Sequence, residues 1–293
     1  MSGRPSEKAR LLAAPSAPES LGAWMRRYLE ALTIQHMNAA NLRARRSNLA
    51  RFNAWCAECG IARPAEVTHA ILARFQRHLF YARKPDGRPY AINGQLSVLN
   101  TLQAFFRWMV RHQHLPSNPA ADLDLPKKIH YHLREPLNGA EVEAVLAIPD
   151  LADPYGLRDR AILELFYATG IRRQELANLN LADIDAERGC LHVRQGKGRK
   201  DRFVPVGERA LAWVAKYRRE ARPKLLSDPH EPRLFLNYQG EPLSANALSW
   251  RIREYLDRAG VTKVGSCHLF RHTMATAMLD NGADLRHVQE MLG

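Results

Sequence analysis

Two side chains stand where their charge can meet on one small anion. His268 and Arg271 lie three residues apart in a stretch that reads as a helix, so they share one helical face. Arg172 follows Gly170, which ends an apolar run from Ala161 to Ala168 that also reads as a helix. A glycine in the left-handed conformation reverses the chain sharply, and a side chain just after it projects from a fixed backbone. Glu175 is placed to pair with Arg172 and hold it. Lys197 stands between Gly196 and Gly198, where nothing bulky keeps its ammonium from a phosphate oxygen. Guanidinium forks grip phosphate bidentately and stay protonated at cellular pH, whereas lysine suits a step in which a proton moves. The glycine spacing around Lys197 is not that of a nucleotide-binding loop.

Each feature also has an ordinary structural explanation. A His-x-x-Arg pair is often a surface ion-pair face, Arg172 can be a helix cap, and Lys197 can mark a solvated turn. His272 has apolar neighbours in Met274, Ala277 and Met278, which place it partly in the core.

The elements that must hold these residues can be read from periodicity. Residues 1–17 are rich in Ala, Pro and Ser without period and read as a flexible tail. Residues 18–115 predict an all-helical domain of four helices. Leu42, Leu49, Phe52 and Cys56 line one helical face, and Ile92, Leu96, Leu99, Leu102, Phe106 and Val110 line another. Trp24, Trp55 and Trp108 read as core. Over residues 116–137, Pro116, Pro119, Pro126 and Pro136 stop helices and predict an extended linker with Lys127 and Lys128 between them. Asn138 and Glu141 have capping-box spacing.

Residues 138–293 predict a mixed domain. Short strands over 191–194 and 202–206 flank the Lys197 turn, and Pro205 demands a sheet edge. Helices are expected over 208–221, 245–259, 268–281 and 284–292. The fold class expected is mainly α with a small antiparallel β-sheet, in two domains.

Lys and Arg number 43 against 30 Asp and Glu, a net charge of +13. That excess favours polyanions, because neutralising backbone phosphates releases counterions. Charge alone leaves DNA, RNA and acidic membrane open. No apolar run approaches the ~20 residues of a membrane span, and the N-terminus has no apolar signal core, so a cytoplasmic location is expected. Cys56 and Cys59 have metal-ligand spacing, but without a second pair they read as packing thiols.

Taken together, three segments carry a resemblance. They are Ala168-Thr169-Gly170-Ile171-Arg172-Arg173-Gln174-Glu175-Leu176, then Gly196-Lys197-Gly198-Arg199-Lys200-Asp201-Arg202, then His268-Leu269-Phe270-Arg271-His272-Thr273. In that order and spacing the chain resembles the tyrosine recombinase (phage integrase) family, nearest its Xer-like members. Asn118-Pro119-Ala120 and Leu125-Pro126-Lys127 match the linker of such proteins, and the resemblance covers most of the chain from Leu21 onward.

The resemblance implies an N-terminal core-binding (SAM-like) helical domain and an α+β catalytic domain. It implies site-specific recombination or integration of double-stranded DNA through a 3′-phosphotyrosyl link, within a homo- or hetero-oligomer on DNA reaching a tetrameric synapse. Neither cofactor nor metal is implied. Arg172 and Arg271 would clamp the phosphate, His268 would assist by hydrogen bonding and proton handling, and Lys197 would be general acid for the 5′-hydroxyl.

The family nucleophile is a tyrosine shortly after a Leu-Gly-His element. Here Met291-Leu292-Gly293 closes the sequence, and all nine tyrosines precede His268, Tyr255 being the last. The expectation is a chain truncated before its nucleophile and inactive in cleavage by itself. Two other readings use the same residues. One is a DNA-binding remnant or accessory protein without catalysis. The other is a type IB topoisomerase, against which the Xer-like wording of all three motifs argues.

Overall fold

The computed structural model describes residues 17–84, 86–127, 135–194 and 201–293. Lys197 and its flanking glycines, residues 1–16 of the expected tail and residues 128–134 of the expected linker lie outside the described residues. The chain divides into two compact units, Met1–His130 and Tyr131–Gly293.

The first unit is built from α1 (Leu21–Ile34), α2 (Ala39–Glu58), α3 (His69–Tyr81) and α4 (Ile92–Arg111). Side-chain oxygens start the first three helices: Ser20 accepts from the Ala23 amide, Asn38 from Ala40 and Thr68 from Ile71. Their apolar stripes close on a core of Phe52, Phe75, Phe105 and Phe106, with the Phe52 and Phe75 rings 4.8 Å apart. Trp55 is buried in this core, and Trp24 and Trp108 are half-buried against it. Leu115, Ala120 and Leu123, beyond α4, pack into the same core. Arg43, Arg46, Arg74 and Arg77 stay exposed on the outside.

The second unit opens with α5 (Gly139–Ala147). Its capping box is complete: Asn138 Oδ1 accepts from the Glu141 amide, and Glu141 Oε2 from the Asn138 amide, both at 2.8 Å. The central element is α6 (Pro154–Thr169), which packs against α8 (Glu208–Glu220) and α11 (Cys267–Asp280). It buries Leu157, Ile162, Leu163, Leu165 and Phe166. Burying each such side chain stabilises the fold by about 1.5–3 kcal/mol. Charged groups on this helix are buried only with partners. Arg158 and Asp159 pair at 2.7 Å, and Glu164 is met by Arg160 and Arg209 at 2.8 and 2.9 Å.

After α6 come α7 (Arg173–Ala177) and a three-stranded antiparallel sheet of β1 (Ile184–Asp185), β2 (Cys190–Val193) and β3 (Arg202–Pro205), in that order. The sequence predicts only the β2–β3 hairpin, since a two-residue strand is too short to show alternation. Leu191 pairs with Val204 and Val193 with Arg202, which sets Leu191, Val193 and Val204 toward the core. Pro205 lies on β3, the outermost strand, as its missing amide requires. Then follow α8, α9 (Arg222–Leu225), α10 (Ala245–Arg258), α11 and α12 (Leu285–Leu292). The fold is mainly α with a small antiparallel sheet. No helix among the described residues is long and apolar enough to cross a membrane.

The turn after α6 is tightly constrained. Gly170 caps the helix in the left-handed conformation, at φ 56° and ψ 20°. A Cβ at this position would stand 2.1 Å from Met274 Cε on α11. Gly170→Ala therefore forces a strained backbone and moves Met274. We expect a loss of about 1–2 kcal/mol in unfolding free energy, read as a lower midpoint in thermal melts followed by circular dichroism.

Candidate active site

Arg172 owes its position to what lies on either side of it. Ile171 and Leu176 are both buried, at 1% and 0% exposure, so the backbone between them is pinned to the core. Arg172 itself is extended, at φ −71° and ψ 147°, and forms the N-cap of α7. Glu175 reaches back to it: Oε2 accepts from the Arg172 amide at 2.8 Å, and Oε1 from Arg172 Nη1 at 3.0 Å. Arg172 thus takes the helix-capping position, with the same carboxylate holding its amide and its guanidinium.

Two more guanidiniums converge there. Arg202, on β3, donates through Nη1 and Nη2 to the two Glu175 oxygens at 3.1 and 2.8 Å, and through Nε to the Met291 carbonyl at 3.0 Å. Arg271, on α11, donates through Nη1 to the Gly170 carbonyl at 2.8 Å and through Nη2 to the Leu292 carbonyl at 3.0 Å. Arg172 Nη2 donates to the Gly293 oxygen.

The electrostatics follow from three cations around one carboxylate. Burial alone would push the Glu175 carboxyl up. Hydrogen bonds from Arg202 and from the backbone and side chain of Arg172 outweigh it, and hold Glu175 below the usual carboxylate range. Arg271 is pushed down to about 10, first by burial and then by the charges of Arg172 and Arg202, with Glu175 opposing. A site whose cations repel one another in the empty state gains when an oxyanion enters it.

His268 occupies the first turn of α11, one turn before Arg271, and is exposed. Arg253 fixes the approach to that helix by donating to the carbonyls of Val261, Lys263 and Gly265 at 3.0, 2.8 and 3.1 Å. His272 is half-buried beside it. The structure thus brings Arg172 and Arg271 together on Gly170 and its neighbours, and places His268 on the helix that carries Arg271. Lys197 lies outside the described residues, though β3, which begins five residues after it at Arg202, is tied to Glu175 through Arg202.

Arg202 is the site residue that motif reading passes over. Its signal is present in the alternation of β3: Arg202 and Val204 are two apart and share the inward face. A basic side chain on an inward face requires a buried acid.

Tyr255 is no part of the cluster. It is 5% exposed and its hydroxyl donates to Asp159 Oδ2 at 2.7 Å. Burial, and then the Asp159 charge and hydrogen bond, hold that hydroxyl protonated above the usual phenol range. It helps to line a cavity of about 620 Å³ with Tyr155, Arg158 and Trp250, which includes none of the three clustered arginines.

The model of the phage integrase family matches residues 135–293. A tyrosine recombinase XerC 2 of Ralstonia nicotianae is 50% identical over 279 residues, covering 95% of this chain and 80% of that protein. A tyrosine recombinase XerD of Pseudomonas putida is 36% identical over 267 residues, covering 91% and 87%. Among solved structures, a XerH site-specific recombinase bound to palindromic difH substrate has a TM-score of 0.70 at 19% identity, covering 88% of this chain and 74% of its own. A lambda integrase tetramer bound to a Holliday junction has a TM-score of 0.69 at 20% identity, covering 100% and 78%. At these identities the two structures speak for the fold.

The lowered pKa of Glu175 makes its ion pairs a pH-dependent source of stability. A depressed carboxyl contributes above its unfolded pKa, and the contribution is lost as pH falls through the folded value. Glu175→Gln should cost roughly 2–3 kcal/mol at neutral pH, less than a fully buried pair because Arg172 keeps some solvent contact. The gap to wild type should close as pH falls below the usual carboxylate range. Urea unfolding at a series of pH values measures both.

Proposed function

The chain belongs to the phage integrase family, and from that premise we propose that it exchanges DNA strands at specific sites as an Xer-like tyrosine recombinase. The observation that carries the reading is the convergence of the Arg172 and Arg271 guanidiniums, which donate to the neighbouring Gly293 and Leu292 oxygens and lie close enough for the Arg172 charge to act on Arg271. Two guanidiniums fixed there suit a phosphodiester whose non-bridging oxygens gain charge as the bond breaks. In the proposed step a tyrosine oxygen attacks phosphorus, forming a 3′-phosphotyrosyl bond as the bond to the 5′-oxygen breaks. Lys197 protonates the departing 5′-oxygen, and His268 takes part in hydrogen bonding and proton transfer at the phosphate. The bond energy is kept in the covalent link, so reversal by the partner strand's 5′-hydroxyl needs no nucleotide.

The attacking tyrosine, on this reading, is not among residues 1–293. Tyr255 is engaged with Asp159 in the core, and every other tyrosine precedes it. We further propose that the helical unit over residues 18–115 grips the duplex with its exposed arginines while residues 138–293 hold the scissile phosphate, 116–137 joining them. The fold neighbours bound to DNA as a dimer and as a tetramer support an oligomer on DNA. A DNA-binding accessory role is the second reading, and the same experiment separates the two.

Nicked suicide duplexes carrying the recombination site are incubated with residues 1–293 and with the product of the complete reading frame. Residues 1–293 should bind and form no covalent adduct, and the complete product should form one. In the complete product, Arg172→Ala and Arg271→Ala should each slow adduct formation by about 10²–10³ with duplex affinity nearly unchanged. An adduct mapping to Tyr255, or either variant cleaving at the wild-type rate, would refute the assignment. A complete product that binds its site and never cleaves would leave the accessory reading.

A further inference from the structure

We propose that Arg202 is a positioning residue whose task is to keep Arg172 available to phosphate. The proposal rests on the reading of Arg172 as a phosphate clamp. Glu175 is buried, and four donors reach its two oxygens: the Arg172 amide, Arg172 Nη1, Arg202 Nη1 and Arg202 Nη2. The strongest geometry between an arginine and a carboxylate is the parallel two-bond fork. Arg202 occupies it, with one terminal nitrogen on each oxygen. Arg172 is left with a single side-chain bond to Glu175, through Nη1, and its Nη2 faces away from the carboxylate.

Arg202 is suited to this place and to no other. It is fixed by strand pairing with Val193, by its inward position beside Val204, and by the bond from Nε to the Met291 carbonyl. Its side chain is 13% exposed against 26% for Arg172, so it faces the carboxylate and not the solvent side of the cluster. Without it, Glu175 would be a buried carboxylate with one cation in reach, and a buried charge so placed draws its partner into the closest pairing. Arg172 would turn to close both terminal nitrogens on Glu175. The group meant for the transition state would then be spent on the ground state of the empty enzyme. Arg202 also opens β3, so the same side chain sets β3 against α7.

A structural role alone predicts additive losses, whereas capture of Arg172 by Glu175 predicts that removing the Glu175 charge repairs the damage. Two readouts are used. The first is adduct formation by the complete reading-frame product, well below the melting temperature of every variant. The second is binding of inorganic phosphate to residues 1–293 at constant ionic strength, taking the part that Arg172→Ala abolishes. Arg202→Ala should slow adduct formation by roughly 10²-fold, the size of effect of a misplaced catalytic group, with duplex affinity nearly unchanged. It should weaken the Arg172-dependent phosphate binding by about 10-fold, the scale of one lost charge-assisted hydrogen bond. Arg202→Lys should fall between, since an ammonium neutralises Glu175 without the fork.

The pair Arg202→Ala with Glu175→Gln should recover most of both losses, and it leaves no unpaired buried charge should the single variant fold poorly. Phosphate binding of Arg202→Ala equal to wild type, or a pair worse than Arg202→Ala alone, overturns the proposal. Absence of any adduct from the wild-type complete product would instead sink the recombinase reading, and the phosphate measurement would still decide the role of Arg202.

Discussion

A single carboxylate makes the arginine cluster possible. Arg172, Arg202 and Arg271 come from three separate elements, and three guanidiniums do not gather in a half-buried place unaided. Glu175 binds two of them directly, and the backbone turn that it caps supplies the Gly170 carbonyl to the third. The balance remains positive, which is why Arg271 is pushed down to about 10 while Glu175 is held in its charged form. The three guanidiniums therefore repel one another in part, and an oxyanion among them offsets that repulsion. Donors fixed before the ligand arrives need no reorganisation when charge develops, which is the condition for transition-state stabilisation by hydrogen bonds.

The scaffold serves that arrangement. α6 is buried along most of its length, ends at Gly170, and is held against α11 at the place where Met274 leaves no room for a side chain on Gly170. One turn thus sets Arg172, two residues on, and receives Arg271 from the opposing helix. β3 delivers Arg202 from the other side, and the end of α12 offers its carbonyls to Arg202 and Arg271. The charged groups at the middle of the second unit, Arg158 with Asp159 and Glu164 with Arg160 and Arg209, are neutralised within it. The uncompensated charge is left at Arg172, Arg202 and Arg271 around Glu175.

Much of this was legible in the residues. Long apolar periods marked the helices, the Asn138 and Glu141 spacing marked a helix start that forms as expected, and Gly170 after an apolar run marked the left-handed cap. The pairing of Arg172 with Glu175 followed from their separation. What escaped has physical reasons. β1 has two residues, so no period can reveal it. Ala120 and Leu123 are core residues in a stretch whose prolines suggest only an extended connector, because irregular backbone packs without a repeating pattern. Arg202 stands in the sequence only as the last residue of a basic segment, and its alternation with Val204 marks an inward face once Arg202 is paired with Val193. Arg253 acts through three backbone carbonyls, and carbonyl acceptors leave no trace in residue type.

The central claim is that this cluster exists to hold one DNA phosphate. The most direct measurement is a crystal structure of residues 1–293 bound to a duplex carrying its recombination site. The account predicts one backbone phosphate whose non-bridging oxygens accept from both Arg172 and Arg271, with Arg202 still forked on Glu175. A complex in which Arg172 and Arg271 keep only their protein carbonyl partners, with every DNA phosphate lying elsewhere, would contradict it.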